Sequence, residues 1–210
     1  MNGLFEELLA SAGRAHGHIC PGQVLGVRMG ILGLALLGFE APLNDRNIKK
    51  VIIYVEIDRC LADALATVTG VKLGRRSLKF RDFGLMAATF VRLTDGLAYR
   101  IAVKEDCRTK ATEVFPEIPN TYHREVAAYQ VLAAAELFQV EQVRVELNPD
   151  DLPGANIPKL TCNNCGATIR HGRVVENAGR RLCHVCGGLA YFESIKKIGE
   201  FDHLDPSQTT

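Results

Sequence analysis

Two Cys-x-x-Cys pairs stand near the C-terminus, Cys162/Cys165 and Cys183/Cys186, with seventeen residues between them. Four thiolates at this spacing suit a tetrahedral Zn²⁺ ion with no open coordination position. Gly166, Gly187 and Gly188 follow the pairs and ease the tight turns that point both sulfurs of a pair at one metal. The pattern predicts a knuckle, then a hairpin over Thr168–Val175 and Gly179–Leu182, then a second pair leading into a helix over Leu189–Ile198. That is the plan of a treble clef or zinc ribbon. A redox dithiol pair or an iron–sulfur centre is the alternative, and neither needs this spacing so closely. His171 and His184 lie near, but four cysteines already complete the shell. The ion's role is structural, since so small a module cannot hold a core alone.

A second group of chemistry-bearing residues opens the chain: His16-Gly17-His18-Ile19-Cys20. In extended backbone, His16, His18 and Cys20 point the same way. Pro21 is well placed as the first residue of a helix, which puts Cys20 at its cap, where the helix N-terminus favours a thiolate. Cys60 has a parallel position, after a strand and at the start of another helix, with Glu56, Asp58 and Asp63 around it. Ligand and catalytic groups gather where strands end and helices begin. These residues could converge on one metal or one reactive centre. The alternative is an inert buried thiol and a pair of turn histidines.

The elements that must position these groups can be read in outline. Asn2 to Ala15 reads as a short helix, with Leu4, Phe5, Leu8 and Leu9 on one side. The helix from Pro21 to about Leu37, stopping at Gly38, is apolar almost all round and is expected to be a buried central helix. Gly22, Gly26 and Gly30 recur along it, each costing about 1 kcal/mol against alanine, which suggests another backbone passing close. Lys49–Asp58 is the clearest strand, and Cys60–Thr69 reads as a helix ending at Gly70. Phe83–Thr94 and Gly96–Val103 read as a hairpin turning at Thr94-Asp95-Gly96. Tyr122–Phe138 is strongly helical, Gln142–Leu147 suits a last strand, and Asn148–Gly154 is a linker by composition. Helices and strands alternate without a βαβ rhythm. The expected class is therefore α+β: a mixed or antiparallel sheet packed with helices, including the glycine-rich central one. The domain boundary is expected near 155, with a core domain over 1–155 and the cysteine module over 156–210.

Composition limits the function. With 25 Lys+Arg, 24 Asp+Glu and a formal net charge of +1, the chain has no dominant electrostatic programme such as coating nucleic acid. Residues 159–197 carry seven basic side chains against two acidic ones. Without an aromatic stacking set, that fits a solvated or docking face better than a nucleic-acid surface. Seven cysteines, four of them in two pairs, argue for metal ligands in a reducing compartment and not for a disulfide framework. Glu6 and Glu7 stand where a secretory signal would be basic, and Arg28 interrupts the most apolar stretch. A cytoplasmic protein without a membrane span is the expectation. The basic run Lys72, Arg75, Arg76, Lys79 and Arg81 reads either as an anion contact, with Arg75 and Arg76 foremost, or as a solvated edge. His123 reads as a surface residue and Cys107 as structural.

The run His16-Gly17-His18-Ile19-Cys20-Pro21-Gly22, with Gly26, Arg28 and Met29, resembles the opening motif of the FmdE family of formylmethanofuran dehydrogenase proteins. Glu56, Cys60, Asp63, Ala64, Gly70, Leu73 and Gly74 resemble its second motif block, and Asp82-x-Gly84 with Ala87–Phe90 continues the match. The resemblance covers roughly residues 10–105. It implies an α+β core that pairs into a homodimer, an appended treble-clef finger, and a shared core site. That site would use His16, His18, Cys20 and Cys60 as metal ligands, with Cys20, Cys60, His16 and Asp63 as the reactive group and Glu56 in support. A second transition metal there, and a role in redox or one-carbon metabolism beside a molybdenum or tungsten oxidoreductase, are further implications. Ala66, Val71 and Arg75 depart from the glutamine, cysteine and lysine common in that family. The residues alone leave three functions open: a metal- or thiol-dependent protein acting on an unknown small molecule, an accessory factor delivering metal or sulfur, and a zinc-finger adaptor for nucleic acid or protein. Whether the chain is an enzyme stays open with them.

Overall fold

The structure, a computed structural model, describes residues 3–195. It falls into two compact units divided after Ala155. The first begins with helix α1 (Gly3–His16) and helix α2 (Pro21–Leu36), followed by strand β1 (Val51–Val55) and helix α3 (Cys60–Thr69). Strands β2 (Leu78–Phe80), β3 (Ala87–Arg92) and β4 (Ala98–Val103) come next, then helices α4 (Cys107–Val114), α5 (Thr121–Val131) and α6 (Ala134–Leu137), and finally strand β5 (Phe138–Val143). The five strands form one mixed sheet in the order β2-β1-β3-β4-β5, with β2 parallel to β1 and every other pair antiparallel. This is the α+β architecture expected.

Alternation along the strands sends Val51, Ile53, Val55, Ala88, Phe90 and Ile101 into one apolar core with Val24, Val27, Leu61, Leu65 and Val68 from α2 and α3. The helix pair is the frame of the molecule. A Cβ on Gly22 would lie 3.1 Å from Cys60 Cβ, one on Gly26 2.5 Å from Ala64 Cβ, and one on Gly30 3.1 Å from Val68 Cγ1. Each contact is one turn further along both helices, so α2 and α3 run parallel and nearly touch along the glycine stripe. The backbone that the stripe predicts beside it is α3. Gly33 closes the row against Phe90, whose ring occupies the space a side chain would take.

Several boundaries differ from expectation, each for a tertiary reason. The helix expected over Tyr122–Phe138 ends at Val131, because Leu132 and Ala133 turn to extended backbone. Arg28 Nη1 donates to Tyr129 O at 2.7 Å and Leu132 O at 2.5 Å, satisfying the carbonyls of that helix end. Glu136 Oε2 then accepts from Ala133 N at 2.8 Å and starts α6. The last strand consequently begins at Phe138 and not at Gln142. Strand β2 falls within the basic run, and α4 begins at Cys107, a residue assigned no element from sequence. The hairpin is as expected at its turn, with Gly96 at φ +76°, but β3 starts only at Ala87.

The second unit has two short ladders. Strand β6 (Leu160–Thr161) pairs with β7 (Thr168–Ile169), and β8 (Val174–Asn177) pairs with β9 (Arg180–Cys183). Thr168 thus pairs backwards with Thr161 and not forwards across the expected hairpin. A short helical turn over Val185–Leu189 follows the second cysteine pair. Residues 190–195 are not helical, and the rest of the helix expected to Ile198 lies outside the described residues. Among the described residues, no helix is long and apolar enough to cross a membrane.

Candidate metal centres

Each unit gathers one cluster of soft ligands. In the second unit, the Sγ atoms of Cys162, Cys165, Cys183 and Cys186 all lie within 4.8 Å of one another. Cys165 Sγ and Cys183 Sγ are 3.9 Å apart. A tetrahedron of thiolates around Zn²⁺ has edges of about 3.8 Å. Amide groups point into the cluster: Cys183 N–H donates to Cys162 Sγ at 3.3 Å and Cys186 N–H to Cys183 Sγ at 3.5 Å. The backbone N–H groups of Cys165 and then Cys183 draw the Cys162 thiol down to about 6, which favours the thiolate form that binds metal. Leu160, Ile169, Leu182 and Val174 pack beneath as a small apolar core. The donor set and its spacing fit a zinc finger. His171 and His184 are not part of the cluster.

In the first unit, one ligand atom each from His16, Cys20 and Cys60 lies within 4.8 Å of the others. The fold accounts for this directly. Cys20 caps α2 in extended conformation with Pro21 as the first helical residue. Cys60 is the first residue of α3, and the parallel glycine-stripe contact brings those two helix starts side by side. His16, the last residue of α1, reaches the same point and bonds Asp63 Oδ2 through Nδ1 at 2.9 Å. Its Nε2 is the nitrogen left for a metal, in the carboxylate–histidine–metal arrangement. Two thiols and an imidazole make a three-ligand donor set of the kind that catalytic zinc sites use. The cluster therefore offers a second group able to hold a metal such as zinc.

The His18 ring lies 4.9 Å from that of His16, centroid to centroid, and outside the three-ligand group. Glu56 is buried, and Arg100 engages both its carboxylate oxygens, Nε to Oε1 at 2.8 Å and Nη2 to Oε2 at 2.7 Å. That bidentate pair ties the Glu56 carboxylate to the sheet. Arg76 donates to the Asp150 carbonyl and to Asp151 Oδ1, while Arg75 is 3.9 Å from an exposed Asp45. Arg76 is thus bound to a carbonyl and a carboxylate of its own chain. Cys20 also departs from expectation: burial pushes its thiol up, outweighing the N–H groups of Gln23 and Gly22 that draw it down.

Two residues at this centre were not singled out from sequence. Gln23, fully buried, donates from Nε2 to Cys60 O at 2.8 Å, pinning the start of α3 to α2. Its position three after Cys20, facing the glycine stripe, could have marked it. Tyr122, on α5, donates its hydroxyl to Ile19 O at 2.7 Å, across 103 residues of chain. Partial desolvation, then the nearby Cys20 and Cys60 thiols, push its phenol up. No local pattern betrays such a contact.

Similarity to known proteins bears on this centre. Residues 15–147 match the model of the family described as FmdE, molybdenum formylmethanofuran dehydrogenase operon. The chain belongs to the FmdE family. The match takes in His16, Cys20 and Cys60. This FmdE chain is 29% identical over 216 residues to an Archaeoglobus fulgidus protein described as a probable S-adenosyl-L-methionine-binding protein, covering 93% of the chain. It spans only 56% of that relative's length. Among solved structures, a tungsten formylmethanofuran dehydrogenase FmdE-like protein from Syntrophus aciditrophicus matches with a TM-score of 0.61 at 20% identity, covering 90% of this chain and 95% of the other. That likeness shows a shared fold.

Proposed function

We propose that this FmdE-family protein carries a catalytic or transfer metal in the His16–Cys20–Cys60 centre and a structural zinc ion in the four-cysteine module. The observation that supports it most is the meeting of two thiols and an imidazole, from three different helices, within 4.8 Å. A Cys₂His set leaves one position open for a substrate or for a donor on a partner. The family's description links it to a molybdenum formylmethanofuran dehydrogenase. Redox or one-carbon chemistry beside such a molybdenum or tungsten enzyme is the role we assign, with delivery of metal or sulfur to it as the accessory form of the same chemistry. His18, whose ring is tilted against that of His16 at 4.9 Å, is the side chain we propose as a fourth ligand.

Pairing into a homodimer is part of the proposal. Helix α2, expected to be covered all round, leaves Ile31 and Leu32 half-exposed beside Phe5, Ala35 and Phe138, along a groove of about 360 Å³. A second copy would cover this stripe.

Metal counting tests the central reading. The protein is expected to bind two metals per chain, and the Cys20→Ser/Cys60→Ser variant one. A single metal retained in that variant and no second one in the wild type would remove the core centre.

A second reading draws on the Archaeoglobus relative's description and on the cavity of about 540 Å³ between α3 and the β1–β2 edge. Ile57, Leu73, Leu78 and Phe80 wall it with apolar surface suited to a purine, and Asp58 stands where β1 leaves the sheet, a place suited to ribose hydroxyls. Asp63 lines the same cavity and bonds His16. On this reading S-adenosyl-L-methionine binds there, and calorimetry should detect it in the wild type and lose it in Asp58→Asn. Equal binding by both proteins, or none by the wild type, would exclude this reading.

A further inference from the structure

A separate cavity of about 260 Å³ lies on the other side of the first turn of α2, and neither the metal centre nor the family assignment accounts for it. Pro21 and Gly22 form one wall. Glu125 and Tyr129, one turn apart on α5, and Cys107, at the start of α4, form the buried polar part, with Lys104 and the exposed Glu105 and Arg108 as its charged lining nearer solvent. Leu25, Met86 and Val103 add an apolar side.

The polar groups are unusually placed for a packing defect. Glu125 is only 7% exposed, yet its ion-pair partner is Arg108 at 3.4 Å, a side chain that is itself 79% exposed. A buried carboxylate needs firmer pairing than a loose surface guanidinium provides. Cys107 donates its thiol to Tyr129 OH at 3.4 Å, and burial pushes the Cys107 thiol up, so both groups are neutral. The phenol then has its own proton to donate. Lys104, at the mouth, is turned to the Ala135 carbonyl at 2.6 Å. The depth of the cavity is therefore acidic through Glu125, with a phenol donor beside it and an exposed cation, Arg108, at the rim.

We infer that this cavity binds a small α-amino acid with an apolar side chain. Its ammonium group meets Glu125, its carboxylate meets Tyr129 OH and Arg108, and its side chain lies along Leu25, Met86 and Val103. The volume is below the usual range of drug-sized pockets and suits a molecule of this size. The inference rests on the cavity alone and stands whether or not the core centre holds a metal.

The test is thermal unfolding of the full-length protein with millimolar L-alanine, L-valine, L-leucine or L-methionine, and with isobutylamine and isobutyrate as single-group controls. At least one amino acid should raise the midpoint, isobutylamine should do so weakly and isobutyrate not at all. Glu125→Gln should weaken amino-acid binding at least about tenfold, as loss of a charge-assisted contact does. Arg108→Ala, at an exposed position, should weaken the amino acid but let isobutylamine bind at least as well as to wild type, because Glu125 loses its competing cation, and it serves if Glu125→Gln fails to fold. No stabilisation by any of the four amino acids, stabilisation equal to wild type in the variants, or isobutyrate binding as well as the amino acids would overturn the inference.

Discussion

His16 Nδ1 and Asp63 Oδ2 sit 2.9 Å apart, joining the last turn of α1 to the first turn of α3 across 47 residues of chain. The bond fixes the imidazole while leaving its other nitrogen for the centre formed with Cys20 and Cys60. Removing such a partner from a metal-bound histidine commonly weakens metal binding by about 10–100-fold. Asp63→Asn is therefore expected to weaken the core centre by about that factor in a chelator-competition titration. The four-cysteine module should keep its affinity in the same experiment. Because Asp63 is largely exposed, the loss of overall stability should be small.

Gly26 carries the close approach of α2 and α3. An added Cβ would meet Ala64 Cβ at 2.5 Å and the Leu61 backbone at 3.0 and 3.2 Å, and backbone cannot rotate away. An ordinary helical Gly→Ala change stabilises by up to about 1 kcal/mol. Here the sign reverses, and Gly26→Ala should destabilise by about 1–3 kcal/mol, as overpacking does. Chemical denaturation measures it, and adding Ala64→Gly should restore much of the loss.

Tyr122 holds the residue before Cys20 through its bond to Ile19 O. Tyr122→Phe removes that bond and little else. A loss of about 0.5–1.5 kcal/mol is expected, the usual range for one hydrogen bond. In cobalt-substituted protein the same variant should alter the thiolate-to-metal absorption of the core centre and leave that of the four-cysteine module unchanged.

Asp95 closes the β3–β4 turn with Arg92, Oδ1 to Nε at 2.9 Å and Oδ2 to Nη2 at 2.6 Å, and Arg92 Nη1 also holds Leu37 O at 2.6 Å. The Arg92 guanidinium draws the Asp95 carboxyl down to about 2. A carboxylate with a lowered native pKa adds stability that is complete above its unfolded value, near about 4, and lost as pH falls through its folded one. Wild type should therefore exceed Asp95→Asn in melting temperature at neutral pH, and the difference should shrink between about pH 4 and pH 2.

What was legible in the sequence was what local chemistry decides. The cysteine pairs, Pro21 behind a capping Cys20, and a glycine on every turn of α2 each have one economical explanation, and the structure uses it. What was not legible depends on side chains that meet across the fold. Arg28 ends α5 from another helix, so a continuous helical pattern splits at Leu132. Glu56 and Asp63 both stand as candidates beside Cys60 in the sequence. Sheet register delivers Arg100 to the first, 44 residues away, and the end of α1 delivers His16 to the second. Tyr122 reaches the centre by the same kind of long-range contact.

Anomalous diffraction from crystals of the metal-loaded protein tests the core centre most directly. A peak is expected about 2.3 Å from the sulfurs of Cys20 and Cys60 and about 2.0–2.1 Å from the His16 imidazole nitrogen, besides the peak among the four C-terminal cysteines. A peak among those four cysteines alone, with Cys20 and Cys60 bare, would contradict that expectation.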